Sequence, residues 1–292
     1  MKAVFLRELN ALMHSMTGWI IAAAVPLVFT VMTALHLLSG SAADYIRVIL
    51  DSTVVFGLIV PVYASQGFAK DRRTGADRLL HSLPVNAVQV VLGRYFAQCV
   101  PFLAGVAISG AYPAALSFFG EISALQVVFG MLLFMLCGMH LIALALYISR
   151  AGRNGYVNAL LSLAVMAVCY YLPDIAVLFS AAGAAYWCAL IALALAGVWL
   201  GWKATRSITA ALVCGIIAEA AGLLGLNGGA SAAGFWNGIA SMVNVQSHCT
   251  SLYIGIMDFA DIAYFLLSTA FLLMLSVYGW NMERLLKRRS AK

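Results

Sequence analysis

Residues 70–85 read KDRRTGADRLLHSLPV, a strongly charged segment between two long apolar runs. The chain that carries it has 292 residues, of which 64% are hydrophobic and 10% are charged. Soluble domains have roughly 45–50% apolar and 25% charged residues. The composition therefore predicts an all-α, polytopic transmembrane helical bundle and excludes a soluble core. The net charge of +6 does not indicate nucleic-acid binding, because the basic residues lie between apolar runs, as topology signals do.

Eight apolar runs are long enough to be membrane-spanning helices, for which about 20 residues are needed. They lie at residues 19–38, 50–68, 95–118, 125–148, 156–172, 186–202, 208–226 and 263–280. An alternative with six spans, in which the sixth and seventh runs form re-entrant hairpins, keeps the same parity. Both versions predict a single transmembrane domain over residues 1–292, with the two termini on one side of the membrane.

The distribution of Lys and Arg predicts that both termini are cytoplasmic. With that orientation, every one of the 17 Lys and Arg residues except Arg47 lies on the cytoplasmic side. Short loops of membrane proteins follow this positive-inside rule. An error of one span would break the pattern in every loop that follows it, so the bias also supports an even number of spans.

The sequence of residues 1–16 predicts an amphipathic helix that lies in the membrane interface. Phe5, Leu9, Leu12, Met13 and Met16 share one helical face, and the charged residues lie away from it. Such a helix can act as an elbow that carries motion into the first span, or as an anchor that orients that span. The two roles are compatible.

The segment 70–85 predicts a cytoplasmic helix that binds a partner. Thr74 can cap its start, with Asp77 three residues on as in a capping box, and Pro84 would end it. A ridge of leucines could then enter a groove on the partner while the charged residues set the register. The alternative is an ordinary basic loop. The candidate partner-binding residues are Asp71, Arg72, Arg73, Thr74, Asp77, Arg78, Leu79, Leu80 and Leu83.

Ionisable residues within the apolar runs are candidates for a substrate path, because charge is costly in lipid. Glu219 has no obvious local partner, so it could face the bundle, bind a cationic group or be neutral through burial. Asp51 follows Arg47 by one helical turn, and an interfacial ion pair is favoured there over substrate contact. His140 is interpreted as a buried histidine with a satisfied hydrogen bond rather than as a proton relay.

Signatures of catalysis are absent from this sequence. It contains no HExxH motif, no GxSxG motif, no phosphate-binding loop and no metal-ligand spacing. The chain is therefore not expected to be an enzyme or to hold a cofactor or a metal. Any energy from ATP would have to come from a separate subunit.

Several short motifs, taken in order, resemble the type-2 ABC transporter permeases, and in particular their gliding-motility branch. The motifs are Arg7-Glu8-Leu9, Thr74-Gly75, Leu79-Leu80, Leu83-Pro84-Val85, Gly93-Arg94 and the segments 255–258 and 261–265. The resemblance covers residues 1–160 and 245–285. The sequence departs from the branch in the order of Thr74-Gly75, in Asp77, where a glutamate is common, and in residues 181–234, which look like an inserted hydrophobic hairpin.

The resemblance implies a permease subunit of an ATP-driven exporter in a bacterial plasma membrane. It implies a second permease copy or a homologous permease, and two copies of an ATPase subunit that holds ATP and Mg²⁺. Complexes of this branch often include an accessory subunit with an extracytoplasmic domain. Residues 227–258, too apolar for a free loop, are expected to form an ordered extracytoplasmic cap. Two other functions stay open: a non-transporting scaffold or sensor and, ranked last, a secondary transporter, for which only Glu219 is a fair midplane acid.

Overall fold

The structure, a computed structural model, describes residues 2–38, 45–76, 80, 85–117, 123–150, 154–181, 195, 199, 203, 244–250 and 259–290. The chain divides into two compact units, one of Met1–Met166 with His248–Lys292 and one of Ala167–Ser247. The second unit contains the predicted spans at residues 186–202 and 208–226, which lie outside the described residues apart from positions 195 and 199. The candidate Glu219 also lies outside them, as does the predicted cap except for residues 244–250.

The described residues form ten helices and no strand. The helices are α1 (Lys2–Met13), α2 (Met16–Leu38), α3 (Tyr45–Ala64), α4 (Gln66–Thr74), α5 (Ala87–Ser109), α6 (Ala111–Leu116), α7 (Ala124–Ile148), α8 (Gly155–Ala181), α9 (Val245–Thr250) and α10 (Phe259–Ser290). Five helical segments are long and apolar enough to cross a membrane: Met16–Leu38, Tyr45–Thr74, Ala87–Ala115, Ala124–Ile148 and Phe259–Leu285. The all-α, multi-pass class is thereby confirmed, whereas the count of eight spans stays a prediction.

The third spanning helix differs most from its predicted bounds. It was expected over residues 95–118, but α5 begins eight residues earlier, at Ala87. The prediction stopped at Arg94 because a charged residue normally marks the edge of a span. The Arg94 side chain is instead buried inside the protein, with 1% of its surface exposed.

One end of the first unit gathers the start of α2, the end of α3, α4, the starts of α5 and α8, and the ends of α7 and α10. The N-terminal helix predicted over residues 1–16 is present as α1 but ends at Met13, and Met16, expected on its apolar face, is the first residue of α2. Helix α1 lies against the start of α5. A Cβ atom at Gly93 would be 3.3 Å from the backbone nitrogen of Phe5, so the two helices approach closely there. We call this end of the unit the α1 end.

Four phenylalanines from four helices form the centre of the first unit. Phe29 of α2, Phe56 of α3, Phe102 of α5 and Phe134 of α7 are all buried. The Phe134 ring centroid lies 5.1 Å from that of Phe29 and 5.3 Å from that of Phe56, and both pairs meet edge to face. Because aromatic pairs in this geometry add to the gain from apolar burial, the cluster fixes the four helices relative to one another.

The outer surface of the first unit is apolar where a soluble protein would be polar. Leu27 and Leu35 of α2 are 65% and 54% exposed, and Leu267 and Met274 of α10 are 70% and 71% exposed. Such surface is unfavourable in water but expected against lipid or another subunit. The described part of the chain is therefore built to be covered by apolar surroundings.

Substitution of Gly105 by Ala is expected to destabilise the first unit. A Cβ atom there would lie 2.7 Å from Val25 Cβ and 2.9 Å from the backbone oxygen of Ala22, so α2 and α5 would have to separate. Overpacking of this kind costs about 1–3 kcal/mol. Gly57→Ala is the matched control, because its Cβ would meet only the flexible end of Met166, at 3.3 Å. Thermal unfolding in detergent should show a lower Tm for G105A than for G57A, and equal Tm values would contradict the packing described here.

Candidate functional site

Helix α4 follows α3 after a single residue and ends at Thr74. Gly75 stops the helix by adopting a left-handed conformation with φ of 78°, which glycine tolerates best. The Thr74 hydroxyl donates to the backbone oxygens of Lys70 (3.1 Å) and Asp71 (3.3 Å). Thr74 is therefore the last residue of α4. Most of the helix that it was predicted to cap lies outside the described residues, so the cap stays a prediction.

The first group of charges at the α1 end surrounds the buried guanidinium of Arg94. Its Nη2 atom donates to Glu8 Oε1 of α1 at 2.8 Å and to Asp71 Oδ2 of α4. Arg7 pairs with Glu8 and lies 3.8 Å from Asp71. The Arg94 guanidinium also lies over the Phe68 ring, 4.4 Å from its centroid. One charge on α5 thus holds α1 and α4 in place.

The ionisation of Glu8 reflects this setting. Burial by itself raises the pKa of the Glu8 carboxyl, but the neighbouring guanidiniums of Arg94 and Arg7 outweigh burial and hold the pKa below its ordinary value. Glu8 is therefore ionised at neutral pH. Its contribution to stability is complete above the ordinary pKa of a glutamate and is lost only as the pH falls through the lowered value.

The second group of charges joins α4 to the last helix. Arg72 Nη2 donates to Glu283 Oε1 of α10 at 2.7 Å, and Arg150 Nη2, just after α7, donates to the same oxygen at 3.0 Å. Arg150 Nη1 also donates to the backbone oxygen of Ser276 at 2.7 Å. A Cβ atom at Gly279 would overlap the Arg150 guanidinium, so glycine is needed where Arg150 crosses α10.

The segment that follows α4 is tied to α10 as well. Arg284 Nη1 donates to the backbone oxygen of Val85 at 3.0 Å, and Glu283 beside it binds Arg72. Both ends of the segment between Arg72 and Val85 are therefore held by neighbouring residues of α10. Leu80, inside that segment, is buried at 4% exposure.

Together the two groups form a connected set of charges that we call the charge junction. Its members are Glu8, Asp71, Arg72, Arg94, Arg150 and Glu283. Asp71 and Arg72 are adjacent in α4, about 100° apart around the helix axis, and each joins one group. Any displacement of α4 must therefore strain or break ion pairs with helices on two sides. Breaking a buried pair by removing one partner typically costs about 3–5 kcal/mol.

The predicted partner-binding residues fall into four sets. Asp71 and Arg72 are half-buried in the charge junction, while Arg73 and Thr74 are exposed on α4. Leu80 was expected on a partner-facing ridge, but it is buried within the chain, so that part of the prediction is wrong. The four remaining candidates lie outside the described residues; they are Asp77, Arg78, Leu79 and Leu83.

Two of the intramembrane candidates can be located. Asp51 Oδ2 lies 2.9 Å from His36 Nε2 of α2, at the opposite end of the bundle from the charge junction. His140 is buried at 6% exposure, with its Nδ1 atom 3.0 Å from the hydroxyl of Ser268. The interpretation of His140 as a buried, hydrogen-bonded histidine is confirmed.

Sequence reasoning missed four members of the charge junction. Arg150 was treated only as a topology signal, Arg94 as a topology signal and part of a motif, and Glu8 only as part of a motif. Glu283 was not singled out at all. Their partners are distant in sequence, up to 211 residues away for Arg72 and Glu283, so no local pattern reveals the pairing. The one available signal was Arg94 itself, a lone charge next to a small residue, Gly93, at the edge of an apolar run.

The fold and the charge junction define a helical membrane protein whose spans are joined by ion pairs at one end. The chain belongs to the ABC-2 family transporter proteins, whose family model matches residues 13–217, more than half of its length. That match includes α2 to α8 and the first part of the stretch interpreted as an insertion at residues 181–234. No curated protein matches the chain. No solved structure matches it.

Substitution of Arg94 by Gln is expected to destabilise the protein strongly. It leaves Glu8 and Asp71 without the buried cation between them, at a cost on the order of 3 kcal/mol. Arg73→Gln is the matched control on an exposed residue, with an expected effect within about 0.5 kcal/mol. Thermal unfolding in detergent measures the difference. A Tm for R94Q equal to that of R73Q would show that the ion pairs do not hold α1 and α4.

Proposed function

We propose that this chain is the membrane-spanning permease subunit of an ATP-driven exporter. The family match carries the proposal, because it covers most of the spanning helices. The absence of a phosphate-binding loop from the sequence supports a separate ATPase subunit that holds ATP and Mg²⁺. Two ATPase copies and a second permease, identical or homologous, complete the complex. The substrate leaves the cytoplasm or the membrane along a path between the two permeases.

The finer assignments rest on the sequence. The order of the motifs favours the gliding-motility branch, a bacterial plasma membrane and room for an accessory subunit with an extracytoplasmic domain. The positive-inside bias supports an even number of spans, with both termini and the α1 end in the cytoplasm. Eight spans follow when the apolar runs at residues 186–202 and 208–226 each cross the membrane.

The charge junction supplies a route for coupling ATP hydrolysis to the spans. The segment 70–85 is the proposed contact with the ATPase, with Leu80 as an internal anchor. Motion of this segment passes through Asp71 to α1 and α5, and through Arg72 to α7 and α10. Because each route is an ion pair, it transmits displacement only while both partners are charged.

The orientation can be tested at the C-terminus. A reporter active only in the cytoplasm, fused after Lys292, is expected to give signal, because the Lys and Arg residues concentrate on that side. The same fusion with a reporter active only outside should be silent. The reverse result would contradict the cytoplasmic orientation and place the α1 end outside.

The coupling route can be tested with variants that separate the transmission of motion from α4 to the spans from the binding of the ATPase. In a complex with a Walker-motif ATPase encoded beside this chain, Arg72→Gln should leave ATPase co-purification unchanged. It should also return the rate of ATP hydrolysis toward that of the ATPase alone, since the link from α4 to Glu283 is lost. Leu79→Asp, on the proposed contact segment, should instead reduce co-purification by well over about tenfold.

Lys2→Gln serves as the control, because Lys2 is exposed on α1 and lies outside the charge junction. Normal hydrolysis and normal co-purification in both R72Q and L79D would show that coupling runs elsewhere, with α1 as the first alternative. Failure of the wild-type chain to bind the ATPase would favour a scaffold or sensor.

A further inference from the structure

A cavity of about 490 Å³ lies at the α1 end of the first unit, between α1, the end of α3, α4 and the starts of α5 and α8. Its volume is within the range of roughly 300–1,000 Å³ typical of small-ligand sites. Four basic and two acidic residues line it: Arg7, Lys70, Arg73 and Arg94, with Glu8 and Asp71. The wall therefore carries an excess of positive charge.

The excess charge belongs to two residues of α4. Both acidic residues already pair with Arg94 and approach Arg7, which accounts for two of the four cations. Among the residues that the structure describes, no carboxylate lies within ion-pair distance of Lys70 or Arg73. These two side chains are three residues apart, so they share one face of α4. The cavity thus has, along one wall, two exposed cations that no carboxylate of the described residues pairs with.

The lining of the cavity also contains buried hydrogen-bond donors that have no acceptor among the described residues. Arg94 lines the cavity, and its Nε and Nη1 atoms are buried without an acceptor within the described part of the chain. Buried donors of this kind usually have a partner, and a ligand can supply one where the chain does not. The hydroxyl-bearing residues Ser15, Thr17 and Tyr156 also line the cavity. Gln98 Oε1 is a buried acceptor in the same lining that has no partner among the described residues, so the site offers a ligand two exposed cations, the buried donors of Arg94 and one such acceptor.

We propose that this cavity binds a phosphate group, held between Lys70 and Arg73 of α4 and Arg7 of α1. Arginine binds phosphate through its planar fork and lysine as a point charge, so the set suits a singly or doubly charged phosphate. Basic pockets between spanning helices at the cytoplasmic side bind anionic lipid headgroups. The same chemistry would accept a soluble phosphate, and the test below distinguishes the two sources.

A phosphate at this position would tie α1 to α4. Arg7 belongs to α1 and Lys70 and Arg73 to α4, so the bound anion bridges the two elements beside the charge junction. It would favour the arrangement in which the helices lie close together and oppose their separation. The site therefore goes beyond the proposed transport function by giving the α1 end a ligand that stabilises one of its arrangements.

Binding can be measured on the purified chain alone, in neutral detergent, so the result does not depend on any ATPase. The probes are short-chain phosphatidylglycerol and inorganic phosphate, titrated separately while thermal stability and native mass spectra are recorded. The double variant K70Q/R73Q removes the two exposed cations of α4. The control K2Q/R47Q removes the same charge from exposed residues that do not line the cavity. A second variant, A11F, fills the cavity from α1 without changing any charge.

Wild type and K2Q/R47Q are expected to bind the lipid, and K70Q/R73Q and A11F to bind it at least about tenfold more weakly. The same pattern with inorganic phosphate but not with lipid would support the site and assign a soluble source. The proposal is overturned if neither probe binds wild type, if all four proteins bind alike, or if K2Q/R47Q loses as much affinity as K70Q/R73Q. The last two outcomes would mean that any attraction is general and not located in the cavity.

Discussion

The buried charge of Arg94 constrains the whole α1 end. A guanidinium cannot be neutralised by losing its proton at physiological pH, so its burial must be compensated by nearby carboxylates. The carboxylates come from Glu8 of α1 and Asp71 of α4, which lie 86 and 23 residues away in sequence. Both elements must therefore fold back onto the start of α5. The amphipathic pattern of α1 favours the membrane interface without fixing a position there. The ion pair between Glu8 and Arg94 fixes α1 against the start of α5.

The order of the last residues of α4 decides which elements this helix contacts. The four consecutive residues from Lys70 to Arg73 are spaced by about 100° around the helix axis, so their side chains have different surroundings. Asp71 joins the group around Arg94, Arg72 joins Glu283, and Lys70 and Arg73 share the cavity wall. Gly75 then ends the helix in a conformation that most residues avoid. The short helix is thus defined by contacts with other elements more than by its own propensity.

The sequence predicts well what depends on local composition. The five spanning segments follow from apolar length, and α1 follows from the spacing of its apolar residues. Prediction did not place the end of α4 at Thr74, where a left-handed glycine follows one residue later. It also failed to find the charge junction, because the partner of a buried charge is set by tertiary structure. Arg94 was taken as a loop cation for the same reason: sequence alone gives its charge but not its burial.

Ion pairs give the α1 end a property that apolar packing would not. Apolar contacts are non-directional and tolerate small sliding, whereas a buried ion pair is either made or broken over a short distance. The segment between Arg72 and Val85 is held at both ends by Glu283 and Arg284 of α10, and Leu80 anchors it in between. A force on its exposed residues cannot be absorbed by the segment moving alone. It must either move α10 with the segment or break the pairs, and the coupling role proposed for this segment depends on that constraint.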